Sequence, residues 1–291
     1  MNTRPFLLHA LSPLHAGTGH SAGIIDLPTA RMKGTGIPFL PGSSIKGVLR
    51  DSCQGGGDRV EAAFGPSDDS GLHAGALVVG DARLVALPVR TFKGAFAWVS
   101  SPLLLALTKR DLGAEHKLEI PSLSERGALV TKSTLNTCVQ GGRLYLEDLD
   151  LVASTDPRVD VWAEFLAKLV SPESDVFSKR FAIIDDDTMT FLCETATQVD
   201  ARVAIDRETG TARAGALWLE ESLPPETILI GLMGADRSRR EGVPMEPTEV
   251  LDFVLEQEEV LQFGGKATIG RGRCRILPIR SADKGGPRAQ R

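Results

Sequence analysis

The chain has 291 residues, 42% hydrophobic and 24% charged, which suits one large globular domain or two small ones and excludes a disordered polypeptide. Its formal net charge of −5 argues against nonspecific coating of nucleic acid but leaves room for RNA in a local groove. No apolar run is long enough for a membrane-spanning helix, residues 1–9 lack a signal-peptide core, and the four cysteines form no CxxC pair, so a cytoplasmic protein with reduced thiols and no zinc framework is expected.

Residues 6–14 read as a first strand. Residues 15–23, HAGTGHSAG, form a glycine-rich loop holding His15 and His20, and IIDLP follows with Asp26. PGSS then opens a helix. Ser43 or Ser44 offers an N-cap, and Ile45, Val48 and Leu49 make one apolar stripe. Lys46 and Arg50 share the other side.

Residues 55–71 are a loop rich in glycine and aspartate, and residues 77–89 carry strand signals. A helix is expected from Ser101-Pro102, where proline suits the first turn. Residues 109–137 read as irregular, and 143–149 as a short strand. Asp156-Pro157 starts a helix with Val159, Trp162, Phe165, Leu166 and Leu169 in helical spacing.

Residues 181–187 read as a strand running into an acidic turn or helix start at Asp185-Asp186-Asp187. Residues 197–205 alternate as a strand, DRETGT is a turn, and 216–220 and 227–233 are strands. A helix over 248–262 is expected to end at Gly264. The coarse order strand, helix, strand, strand, helix, strand predicts a ferredoxin-like α+β core with large insertions. Residues 281–291 form an expected flexible tail.

Three places carry candidate chemistry. The phrase FGGKATIGRGR has four glycines and three cations in eleven residues, a composition suited to an anion-binding backbone concavity. It fails as a nucleotide P-loop, because Ala267 follows the lysine and Val260 stands where a glycine is required. Arg271, Arg273 and Arg275 alternate and would share one face of a strand. The alternative is a tight turn in water. The helix start with Ser43, Ser44, Lys46 and Arg50 combines free N–H groups, hydroxyls and cations, which suits phosphate; the alternative is an ordinary capped helix. Asp26 can hold a divalent ion or position a ribose hydroxyl, although a lone loop aspartate is more often a turn former. Aromatic residues make up only 5% of the chain, so recognition by backbone and shape is expected over base stacking.

Taken in order, LHAGTG, IIDLP, GIPFLPGSSIKGVLR, GALVVGDARLVALPVR, TFKGAFAWVSSP, AIDRETGTARAGALWLEESLP and FGGKATIGRGR resemble the RAMP superfamily over about residues 8–273. The likeness is to the backbone subunits that cut target RNA in type III-B CRISPR (Cmr) complexes. It implies a single domain over 1–280 with an RRM-like palm, inserted fingers and a β-hairpin thumb within about 183–219. It implies crRNA and target single-stranded RNA as partners, further copies stacked head to tail, and other Cmr subunits including the polymerase-like large subunit. Cleavage at regular intervals by 2′-OH attack, dependent on a divalent metal such as Mg2+ or Mn2+, would leave a 2′,3′-cyclic phosphate and a 5′-hydroxyl. Carried over by position, Asp26 is the catalytic aspartate and metal ligand, with His15 and Glu220 accessory. Ser43, Ser44, Lys46, Arg50, Gly264, Gly265, Lys266, Arg271 and Arg273 then belong to the RNA-binding set. Relatives often carry a tyrosine where this chain has Ser222. The alternatives are a non-catalytic guide-binding scaffold, the equivalent type III-A (Csm) subunit, or a guide-processing endonuclease of the same superfamily.

Overall fold

The computed structural model describes residues 1–17, 25–66, 73–123, 126–256 and 260–280. In chain order these form β1 (Asn2–Ala10), β2 (Phe39–Leu40), α1 (Gly42–Ser52), α2 (Asp58–Phe64), β3 (Leu77–Val79), β4 (Ala82–Arg90), β5 (Phe96–Ser100), α3 (Pro102–Leu112), β6 (Ala128–Val130), α4 (Lys132–Thr137), β7 (Val139–Gln140), β8 (Arg143–Leu146) and β9 (Leu149–Thr155). Next come α5 (Pro157–Val170), β10 (Phe181–Ile184), α6 (Asp186–Thr195), β11 (Gln198–Ile205), β12 (Ala212–Ser222), β13 (Ile228–Ala235), α7 (Pro247–Leu255), β14 (Val260–Gln262) and β15 (Arg273–Pro278). Most of the glycine loop, with His20, and the expected tail lie outside the described residues. Among the described residues, no helix is long and apolar enough to cross a membrane.

Thirteen strands make one sheet in the order β14-β15-β1-β13-β4-β5-β10-β6-β9-β8-β7, with β2 on β4 and β3 on β13. The α+β class holds. In the central set β15-β1-β13-β4 every neighbour is antiparallel. The chain between β4 and β13 widens the sheet, with parallel pairs β10·β5 and β6·β9, and supplies a separate hairpin, β11–β12.

Both faces of the central sheet are covered. Phe6, Leu8 and Ala10 pack toward α1 and α7 with Ile45, Leu49, Val250 and Val254. Leu7, Ile228 and Ile230 pack on the other side with Leu105, Val159, Trp162 and Leu166 from α3 and α5. Alternate side chains of β1 thus enter different cores, which is why this strand reads as a continuous apolar run. Each fully buried Leu, Ile or Phe contributes roughly 1.5–3 kcal/mol.

Several local expectations are corrected. The first strand ends at Ala10, before Leu14, because Pro13 cannot donate to a ladder. The expected strand over 77–89 breaks at Gly80-Asp81 into β3 and β4. Residues 109–137 are irregular only in part: α3 runs to Leu112, β6 begins at Ala128, and Thr131 caps α4 by accepting from Thr134 N at 2.8 Å. The acidic triplet, read as a turn or helix start, is a helix start as expected, with Asp185 accepting from Thr188 N at 2.8 Å. The helix expected to reach Gln262 stops at Leu255, and Gly264 does not end it. Val260–Gln262 is instead a strand pairing with β15, a tertiary contact that overrides helical periodicity.

Candidate nucleic-acid interface

After β1 the backbone turns beneath β12. Leu11 N donates to Arg273 O at 2.7 Å, and Leu14 pairs with Leu223. This brings His15 against β12, where its Nδ1 lies 2.7 Å from the carbonyl oxygen of Glu221 in a buried setting. A carbonyl only accepts, so Nδ1 carries the hydrogen and a neutral ring keeps its lone pair on Nε2. Nε2 faces Gly17, where an added Cβ would sit 2.7 Å away. A side chain at position 17 would therefore displace the ring.

Asp26 rides on the same strand. Its Oδ2 accepts from Leu219 N at 2.8 Å, Leu27 N donates to Leu219 O at 3.1 Å, and Glu221 N donates to Leu27 O at 3.0 Å. The side chain is exposed, and its other oxygen has no protein partner among the described residues. No group of three or more His, Cys, Asp or Glu gathers as a metal cluster among the described residues. Mg2+ is commonly held by one or two carboxylates together with substrate phosphates and water, so a single exposed carboxylate fits an ion shared with RNA and does not fit an all-protein cage.

The paired acids differ. Glu220 is 2% exposed, and its Oε1 accepts from Trp218 Nε1 at 2.7 Å and pairs with Lys266 Nζ at 2.8 Å. Arg202 Nε stands 3.4 Å from its Oε2. Burial pushes the Glu220 pKa up, but the hydrogen bonds from Lys266 and Trp218 and the charges of Lys266 and Arg202 outweigh it and hold the group at about 2. An acid this strong holds no proton to deliver near neutrality, so the carboxylate acts here as the ion-pair partner of Lys266. Glu221 organises the site. Its carboxylate accepts from Thr29 N and Thr197 Oγ1, each at 2.9 Å, and pairs with Arg31.

The glycine turn is a built structure. Gly264, Lys266, Gly270 and Gly272 all have φ between 70° and 77°. A Cβ on Gly264 would collide with His15 O, and one on Gly272 with Phe263 O. Gly265 N donates to His15 O at 3.0 Å. Arg271 does not join Arg273 and Arg275 on a strand, because β15 begins only at Arg273. It is 6% exposed, donates to Ser222 Oγ and pairs with Asp200 Oδ2. Its cation is therefore turned inward, which removes Arg271 from the exposed RNA-binding set. Arg273 is exposed, whereas Arg275 points to His9 and Val170 O.

At the start of α1 the cap differs from expectation. The N-cap position is Pro41, and the carboxylate of Asp81 accepts from Gly42 N at 2.8 Å. Neither serine caps the helix; Ser43 and Ser44 lie exposed in its first turn, where N–H groups have no i−4 partner. A groove of about 410 Å3 is lined by His15, Gly17, Ser43, Ser44, Gly264 and Gly265, with Asp51 at one wall and no lysine or arginine on it among the described residues. Lys46 and Arg50 turn elsewhere, donating to Leu77 O at 3.4 Å and Gly65 O at 3.0 Å. Burial, then the charge of Arg50, lowers the Lys46 pKa.

The fold thus brings His15, Ser43, Ser44, Gly264 and Gly265 to one groove and hangs Asp26 from the strand that also holds His15. Sequence reasoning missed Asp81, Asp200 and Glu221. For Glu221 a signal existed: adjacent acids on a strand face opposite ways, so only one of Glu220 and Glu221 can meet a given partner.

Residues 7–275 match the family model described as the RAMP superfamily. The chain is 31% identical to the CRISPR system Cmr endoribonuclease Cmr4 of Pyrococcus furiosus, over 97% of this chain and 98% of that protein. The crystal structure of oligomeric Cmr4 from Pyrococcus furiosus superposes with a TM-score of 0.74 at 25% identity, covering 96% of this chain and 99% of that one. A type III-B Cmr-beta complex bound to cognate target RNA, seen by cryo-electron microscopy, contains a chain sharing the fold at TM-score 0.73 and 20% identity, covering 96% of this chain and 97% of that one.

Proposed function

The chain belongs to the RAMP superfamily, and from that premise we propose that it is the repeating backbone subunit of a type III-B CRISPR (Cmr) complex and an endoribonuclease that cuts target RNA paired to the guide. Its partners are crRNA, target single-stranded RNA, further copies of itself and the other subunits of the assembly. One observation carries this reading: the groove residue His15 and the exposed Asp26 carboxylate are anchored to the same stretch of β12, at Glu221 O and Leu219 N.

The hydroxyls of Ser43 and Ser44, with the free N–H groups of the first turn of α1, bind backbone phosphate without reading bases. Lys46 and Arg50 add positive charge on the flank of α1. The exposed Arg273 at the start of β15 adds a further cation. Asp26 faces the ribose and orients a nucleotide whose 2′-OH lies in line with the next phosphate. A divalent ion, probed as Mg2+ or Mn2+, would be held by Asp26 together with RNA phosphate, and when bound it would neutralise charge on that phosphate. His15 lines the groove, and Glu220 holds Lys266 in place.

The test is to assemble the chain with guide RNA and a complementary target. Fragments at regular spacing, ending in a 2′,3′-cyclic phosphate and a 5′-hydroxyl, are expected, and guide-free chain should leave precursor repeat RNA intact. An assembly that holds no RNA would overturn this function. The alternative is a guide-binding scaffold that does not itself cut; full-rate cutting by an assembly carrying Asp26→Ala would remove the catalytic assignment.

A further inference from the structure

We propose that Arg271 and Asp200 form a positioning latch: the pair acts on no RNA itself but holds hairpin β11–β12 against the glycine turn and so sets where Asp26 stands. The proposal rests on the functional reading above and deepens it.

Hairpin β11–β12 is not part of the thirteen-stranded sheet; each of its strands has only the other as a ladder partner. Outside the hairpin, β12 is tied by two backbone hydrogen bonds to Leu27, and side chains supply further contacts. At the base, Glu221 gathers Thr29, Arg31 and Thr197. Along its inward face run Asp200 and Arg202 from β11, with Trp218, Glu220 and Ser222 from β12. This face meets the glycine turn at two ion pairs, Asp200 with Arg271 and Glu220 with Lys266.

Arg271 is the buried member. One nitrogen of its guanidinium donates to Ser222 Oγ and another to Asp200 Oδ2, so one planar group bridges both strands of the hairpin. Its backbone is committed too, with Arg271 O accepting from Gln262 Nε2. At 6% exposure, this guanidinium presents little surface to a phosphate. Asp26 takes its position from Leu219 N, three residues before Ser222 on the same strand. The turn that carries Arg271 also closes the groove through Gly264 and Gly265. Groove and aspartate therefore share one rigid connection.

The test compares Arg271→Gln, Asp200→Asn and the double variant with the parent chain. Hydrogen–deuterium exchange is read over residues 217–223 in the full chain, and guide affinity and target cleavage in the assembly. Each single variant should speed exchange there and lower kcat about tenfold or more, because small displacements of a reacting group are costly. Guide affinity and its salt slope should stay within about twofold, and the double variant should lose no more than the worse single. Ser222→Ala, which keeps both charges, should show a smaller change of the same sign even if Arg271→Gln folds poorly. A fall in affinity with a flatter salt slope would make Arg271 a phosphate contact and overturn the latch. Unchanged exchange and kcat would overturn it equally. If the parent assembly does not cut, the functional reading fails, while the exchange data still decide the latch.

Discussion

The carboxylate of Asp26 accepts a hydrogen bond from the backbone N–H of Leu219 at 2.8 Å, across 193 residues of chain. Two residues on, the carbonyl of Glu221 holds His15. The loop aspartate is thus aligned by a strand, not left on a free turn.

Asp26→Asn keeps an oxygen able to accept from Leu219 N while removing the charge. Target cleavage by the assembled complex should fall about a hundredfold or more, with guide affinity unchanged. Single-turnover cleavage beside a guide-binding titration measures both. Cleavage at the parental rate would leave the chain a scaffold.

Ser43, Ser44 and Asp81 should separate binding from stability. Asp81→Ala removes the acceptor for Gly42 N and should cost about 1 kcal/mol in urea unfolding. Replacing Ser43 and Ser44 together by alanine should change stability by less than about 0.5 kcal/mol, since neither caps the helix. The same double change should weaken guide RNA for every guide sequence tried, as expected of phosphate contacts.

Gly264 sits at φ 71° against His15 O. Gly264→Ala adds left-handed strain and a collision with backbone that has no flexible end to yield. Destabilisation of at least about 2 kcal/mol is expected by thermal or urea unfolding. A neutral result would mean that the His15 segment moves freely.

Glu220 gives a pH signature. Its pKa in the folded chain lies at about 2, below its ordinary 4.5. Between these values the unfolded chain binds the extra proton, so stability from this group is present above about 4.5 and lost as pH falls toward 2. The full effect is on the order of 3 kcal/mol. Glu220→Gln should flatten that part of the acid limb in urea midpoints measured across the window. A limb of unchanged slope would show that Lys266 does not hold the carboxylate in solution.

Features set within a few residues were legible in the sequence. Asp156-Pro157 announced α5, and Asp156 does accept from Arg158 N at 2.8 Å. Ser101-Pro102 announced α3, and the alternation of residues 197–205 announced β11. The ordered phrases of the chain carried the family, which matches over residues 7–275. Partners of side chains were not legible. Arg271 looked like an exposed cation in a glycine loop, yet its carboxylate partner lies 71 residues away. Asp81, not a neighbouring serine, caps α1 from 39 residues away. The depressed acidity of Glu220 was equally hidden, because it comes from Lys266, Trp218 and Arg202 gathered around the carboxylate. Periodicity and capping are local properties of a chain, whereas burial, charge pairing and acidity depend on which distant residues the sheet and the glycine turn bring within a few ångströms.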